Sequence, residues 1–288
     1  MKTIIKSFLI TATALFVVAC GGGKGGNIGS GNQDTLFPNS SRLAYANDKN
    51  AQEVADLLFG YNTDSIVPAN ERKIANGKKL SILNLVLENI TEFNKSSNLS
   101  KSSRLTDESD YCDSGSLYKE TLSDGSVEFR FNNCTQGYFK FDGIIRKHRY
   151  NNKLVVKYVT DFTVQDLNSD DTIVVKKESS VSLEELGNER YKITLNLVTN
   201  QNGKSSGFEN VVFIYDDSEV TMYQKSGNIY INNLQEYVKW DSSYNMAYTP
   251  LVYDNGTIID GEAHYIMRNA KLIIYANGDG TATYNILR

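Results

Sequence analysis

The sequence predicts a mainly β fold: an antiparallel meander, forming a curved sheet or partial barrel, packed on one or two N-terminal helices. From Leu117 onward apolar and polar residues alternate with a period of two, in segments rich in Tyr, Val, Ile and Thr. Turn pairs punctuate these segments at roughly the 8–12-residue spacing of consecutive hairpins. Ahead of them lies a stretch whose apolar residues recur at three and four, the period of a helix. The expected organisation is an N-terminal leader segment over 1–19, a flexible tether over 20–46, a helical segment over 47–100 and an antiparallel β domain over 101–288.

The chain opens with Lys2 and Lys6 and no acid, then runs apolar from Phe8 to Val18. This is a basic n-region followed by an h-region too short to cross a bilayer core of roughly 30 Å. It ends in Val17-Val18-Ala19-Cys20, which resembles the lipobox of bacterial lipoproteins. The resemblance implies cleavage before Cys20, diacylglycerol on its thiol and acylation of the new N-terminus. Each buried methylene stabilises the anchored state by about 0.8 kcal/mol, so several chains hold durably where one does not. Gly21 lacks the Asp that retains lipoproteins of double-membrane bacteria in the inner membrane, which points to a lipid anchor in the outer membrane. Whether the body faces the periplasm or the outside stays open.

From Gly21 to Ser41 the sequence GGGKGGNIGSGNQDTLFPNSS buries too little apolar area to offset its ordering entropy. As a flexible coil it reaches roughly 25 Å. Asn47 is placed to cap a helix carrying Ala51, Val54, Ala55, Leu57 and Leu58, with Gly60 as its stop. A second helix is predicted over 71–94, where Ile74, Leu80, Leu83, Val86, Leu87, Ile90 and Phe93 form one stripe. The polar run KSSNLSKSSR then reads as a linker.

The strand region carries its turn signals at Asp124-Gly125, Asn151-Asn152, Gly187-Asn188, Asn202-Gly203, Asp216-Asp217, Gly227-Asn228, Asn255-Gly256 and Gly278-Asp279-Gly280. The chain has three prolines, and only Pro250 falls in this region, so the ladders keep their donors. A transmembrane barrel needs a sustained apolar face, whereas TIVVKKESSVSL places Lys, Glu and Ser on both. In architecture and lipobox the chain resembles half-barrel envelope lipoproteins, such as lipoprotein-localisation factors and some surface adhesin lipoproteins.

With Cys20 lipidated, Cys112 and Cys134 remain in an oxidising compartment, and a disulfide between them is the economical reading. A redox pair or metal ligation fits less well: 22 residues is not a CxxC spacing, and no His lies nearby.

Chemistry is sparse. The histidines are His148, in the basic stretch IIRKHRY, and His264, in GEAHYIM; no nucleophile elbow, HExxH or CxxC accompanies them. Glu184-Glu185 and Asp216-Asp217 are adjacent in sequence, so on a strand each pair diverges to opposite faces. Asp166, Asn168, Asp170 and Asp171, and separately Asn277 and Asp279, resemble pieces of calcium loops, but hairpin turns use the same residues. Sixteen of 18 tyrosines lie between Tyr111 and Tyr284, suited either to strands or to stacking on a ligand, with Trp240 among them. Glu92-Phe93-Asn94-Lys95-Ser96 matches an acidic bacterial N-glycosylation sequon.

The formal charge of -4 falls to -6 once Lys2 and Lys6 are removed, a balance that gives nucleic acid no electrostatic footprint. No cofactor and no metal is expected. The sequence thus points to a membrane-anchored envelope lipoprotein with a non-enzymatic binding or structural role and an envelope protein or glycan as partner. A carrier of a lipid or other small apolar ligand held between sheet and helix is the alternative, and a wall- or glycan-acting enzyme the second. Strand addition at an exposed sheet edge is one route to a partner.

Overall fold

The computed structural model describes residues 36–59, 66–68, 106–107, 111–168, 172–245, 247, 249–254, 257–277 and 282–288. In chain order its elements are β1 (Arg42–Leu43), α1 (Asp48–Phe59), β2 (Ile66–Pro68), β3 (Thr106–Asp107), β4 (Ser114–Thr121) and β5 (Val127–Gln136). Next come β6 (Phe139–Tyr150), β7 (Lys153–Tyr158), β8 (Phe162–Asp166), β9 (Thr172–Val175), β10 (Ser180–Gly187) and β11 (Arg190–Gln201). The remainder are β12 (Lys204–Asp216), β13 (Thr221–Ile231), β14 (Glu236–Trp240), β15 (Leu251–Asp254), β16 (Thr257–Asp260), β17 (Glu262–Met267), β18 (Ala270–Ala276) and β19 (Ala282–Leu287). The protein is mainly β, an antiparallel meander, with α1 the single helix among the described residues. The short β1 and β2 pair parallel, on β14 and β19. Period-two burial is plainest in β11, where Tyr191, Ile193, Leu195 and Leu197 are buried in alternation.

The chain divides into two compact units. Unit 1 takes Glu88–Leu183 and Leu197–Lys204 together with residues up to Leu36; unit 2 takes Phe37–Leu87, Glu184–Asn196 and Ser205–Arg288.

In unit 1 the strands β3 to β6 are consecutive antiparallel neighbours. Strand β6 is then shared: Phe139–Asp142 pairs with β8, and Ile145–Tyr150 with β7. The change of partner falls at Gly143, whose φ is +127° and whose missing Cβ would lie 2.6 Å from the Asp161 carbonyl. The Ile144 N–H donates to Thr160 Oγ1 at 2.9 Å across the same break. The core is phenyl-rich: Phe129, Phe131, Phe141 and Phe162 are all but inaccessible, and Phe131 meets Phe162 edge-on at 5.4 Å. Cys112 and Cys134 form the disulfide, with Cα atoms 5.3 Å apart.

In unit 2, β12, β13, β14, β17, β18 and β19 are successive antiparallel neighbours, and β15–β16 is a hairpin set against the start of β13. Helix α1 buries Ala51, Val54, Ala55 and Leu58, one face at helical spacing, and contacts β2, β13, β18 and β19. Asn47 caps it, its Oδ1 accepting from the Asn50 N–H at 2.9 Å.

Three features differ from the sequence expectations. The tether assigned to 20–46 ends earlier, because Phe37 is buried against the Tyr230 ring at 4.7 Å and β1 pairs with β14. The Ala44 N–H donates to the Tyr237 carbonyl and the Ala44 carbonyl accepts from the Arg268 N–H, both at 2.8 Å. Apolar Phe37, Leu43, Ala44 and Ala46 outweigh their polar neighbours once a sheet edge is there to receive them. Within the segment 47–100 expected to be helical, Ile66–Pro68 is a strand, its β-branched pair lying beside β19. Gly227-Asn228 is no turn but the interior of β13: Gly227, at φ +109°, sits where a Cβ would strike the Val211 backbone. The reversal comes at Asn232, Asn233 and Leu234, all at positive φ, and is held from α1 by Glu53 Oε1 accepting from the Asn232 N–H at 2.9 Å. The lipobox, the second helix over 71–94 and the sequon at Glu92-Phe93-Asn94-Lys95-Ser96 lie outside the described residues.

Candidate functional site

The densest polar grouping sits in unit 2, where the loop after β14 meets β17 and β18. Glu262 and His264 alternate along β17 and so share a face. Glu262 Oε2 lies 2.8 Å from His264 Nε2 and accepts from Tyr244 Oη at 3.2 Å. The Tyr244 ring stacks on the buried His264 ring at 3.5 Å and 9°, and its hydroxyl also reaches Thr249 Oγ1 at 3.0 Å. Beside it Asp241, only 2% exposed, accepts from Ser243 Oγ at 2.6 Å and pairs with Lys271 Nζ at 2.9 Å. Burial works against the Asp241 carboxylate, but hydrogen bonds from Ser243 and Lys271 prevail and hold its pKa below the usual carboxylate range.

This arrangement clamps a loop. The Ser243 proton is committed to a carboxylate, and Lys271 is an ion-paired donor, so neither supplies an activated nucleophile or a free base. His264 is engaged by Glu262 at Nε2 and covered by Tyr244.

No family model, curated protein or solved structure matches this chain.

The other residues singled out in the sequence have local roles. His148 lies in unit 1, its ring 5.6 Å from that of Tyr150. Glu184 accepts from Lys192 Nζ at 3.3 Å, within strands rather than at a turn. Asp216 closes β12 by accepting from Ser218 Oγ at 2.6 Å, and Asp217 accepts from Tyr215 Oη at 3.1 Å, as turn acids do. Asp166 accepts from the Asn168 N–H at 2.8 Å in an Asx turn; Asp170, Asp171 and Asp279 lie outside the described residues, and Asn277 borders β18. Among the described residues no three of His, Cys, Asp and Glu converge on a metal position, and no helix is long and apolar enough to cross a membrane. Tyr158, Tyr191, Tyr215, Tyr230, Tyr265 and Tyr284 are buried with Trp240, so these tyrosines serve the core, whereas Tyr45, Tyr138 and Tyr150 stand exposed.

The Tyr244–Glu262–His264 contact was not singled out in the sequence. Its one local signal is Glu-x-His in GEAHYIM, two residues of opposite character on one strand face. Tyr244 arrives from 20 positions away, and no motif marks that distance.

Proposed function

We propose that this chain is an envelope lipoprotein, exported, cut before Cys20 and held in the outer membrane by lipid, whose β-rich body has a binding or structural role. The observation that carries the reading is how the three cysteines divide. Cys112 and Cys134 form a disulfide, as suits an exported domain, which leaves Cys20 alone in its lipobox. The strap Phe37–Ala46 adds support: woven into unit 2 through Phe37, β1 and Ala44, it attaches the anchor-proximal chain to a sheet rather than to a loose end. A binding or structural role is favoured over catalysis because, among the described residues, Asp241, Glu262 and His264 are engaged in the loop clamp and Asp216 and Asp217 in a turn.

Mass spectrometry of the protein from cell envelopes, beside Cys20→Ser, tests this. Loss of residues 1–19 with an acyl mass increment, absent from the variant, is the expected result. An unmodified Cys20 in the native protein would overturn it.

A further inference from the structure

The sequence holds Asn-Gly pairs at Asn76, Asn202, Asn255 and Asn277, and of these Asn202-Gly203 is the pair with both members among the described residues. It forms the whole connection from β11, ending at Gln201, to β12, starting at Lys204. Asn202 has φ +51° and Gly203 φ +82°, the two left-handed residues of a type I′ hairpin turn. Both are exposed to water, and a Cβ added at Gly203 would meet nothing within 4 Å.

An Asn-Gly pair is chemically labile, because glycine puts no side chain in the way of its own nitrogen. The Gly203 nitrogen gives its proton to hydroxide and attacks Asn202 Cγ. The new N–Cγ bond closes a five-membered imide as the Cγ–Nδ2 bond breaks. The departing nitrogen takes a proton from water and leaves as ammonia, which returns the hydroxide. Water then opens the imide at either carbonyl, giving aspartate or isoaspartate.

The closed turn withholds this chemistry. Ring closure needs Asn202 Cβ and the Gly203 nitrogen nearly eclipsed about the Cα–C bond. The left-handed region has ψ of about +47°, which sets those atoms nearly trans, so Cγ points away from its target. The nitrogen is also engaged: the Gly203 N–H donates to Asn200 Oδ1 at 3.1 Å.

We propose that Asn202-Gly203 is a self-modifying site locked by its own turn, converting to aspartate and isoaspartate only while the hairpin end is open. Isoaspartate adds a methylene to the main chain of a two-residue turn, and turn length sets the register of the strands it joins. Conversion therefore records an opening and resists reclosure.

The test follows the full chain, disulfide intact, in mildly alkaline buffer, either folded or in guanidinium chloride. The tryptic peptide Ile193–Lys204 reports the amide-to-acid mass change, and its fragment ions separate Asn202 from Asn196 and Asn200. Asn202 is expected to convert at least about tenfold faster in guanidinium chloride, where the turn is already open. Asn200→Ala, which removes the acceptor, is expected to raise the folded rate about fivefold, the effect of one lost hydrogen bond. The same variant should leave the unfolded rate unchanged. Circular dichroism shows whether it is folded, and the wild-type comparison decides by itself if it is not. Equal rates in the folded and unfolded chain, or an Asn200→Ala effect as large in guanidinium chloride as in buffer, overturns the lock.

Discussion

The two units solve one problem by different means. Both are antiparallel meanders whose apolar faces must be closed. Unit 1 closes around stacked phenyl rings and carries a covalent staple, Cys112–Cys134. Unit 2 has no staple; it takes α1 onto its strands, the strap Phe37–Ala46 onto β14, and a set of buried polar contacts. Tyr265 Oη donates to Gln224 Oε1 at 2.6 Å in its interior, and Asn232 Nδ2 donates to both Asn50 and Glu236 beneath the helix. An aromatic core needs little direction to pack, whereas hydrogen-bonded groups in a buried site must all be satisfied together. Unit 1 is therefore fastened by a bond, and unit 2 by geometry.

Breaking the staple should separate them most sharply. Closing a 22-residue separation stabilises by about 3 kcal/mol through the entropy of the unfolded chain. Trp240, the one tryptophan in the sequence, lies in unit 2 and reports on that unit alone. Cys112→Ser/Cys134→Ser is expected to lower the denaturant midpoint seen by circular dichroism while leaving the Trp240 fluorescence transition in place. Equal movement of both would show the units to be one cooperative block.

The sequence made these features legible to unequal degrees. The strands, Asn47 as a cap and the cysteine pair could be read because each depends on residues close in sequence or on counting. The division into units could not, since β10, β11 and β12 each contribute residues to both, and alternation looks the same on either side. Gly227 resembles a turn residue in the sequence because glycine at positive φ serves a reversal and a bulge equally. The strap was hidden by its neighbours: one Phe and two Ala become anchors only when Tyr230 and the edge of β14 are in place. The loop clamp escaped for the same reason, as Tyr244 gains its meaning from His264.

A smaller change probes the helix. Asn47→Ala removes the acceptor for the Asn50 N–H and should cost about 1 kcal/mol. The loss is expected in the Trp240 transition, because α1 belongs to unit 2, and Asn47→Asp should largely restore it. A loss confined to the transition of unit 1 would place the helix with the wrong partner.

The pH dependence contributed by Asp241 is confined to acid. Its carboxyl titrates below the unfolded carboxylate value of about 3.9 because Ser243 and Lys271 hold the charged form. A depressed folded value means the stabilisation is complete above the unfolded value and fades as pH falls through the folded one. The Trp240 transition, one residue away, should therefore weaken as pH drops below about 4. Asp241→Asn should be less stable at neutral pH, where the ion pair with Lys271 is lost, and should show a flatter acid limb, having no proton to take up. Unit 1 has acid-sensitive contacts of its own, since Asp124, held by Ser126, and Asp161, held against burial by Lys176 and the Lys177 N–H, are also kept below the usual carboxylate range, so the effect of Asp241 is read from the Trp240 transition alone. An acid slope unchanged by Asp241→Asn would mean that the clamp around Tyr244 and His264 is held without that carboxylate.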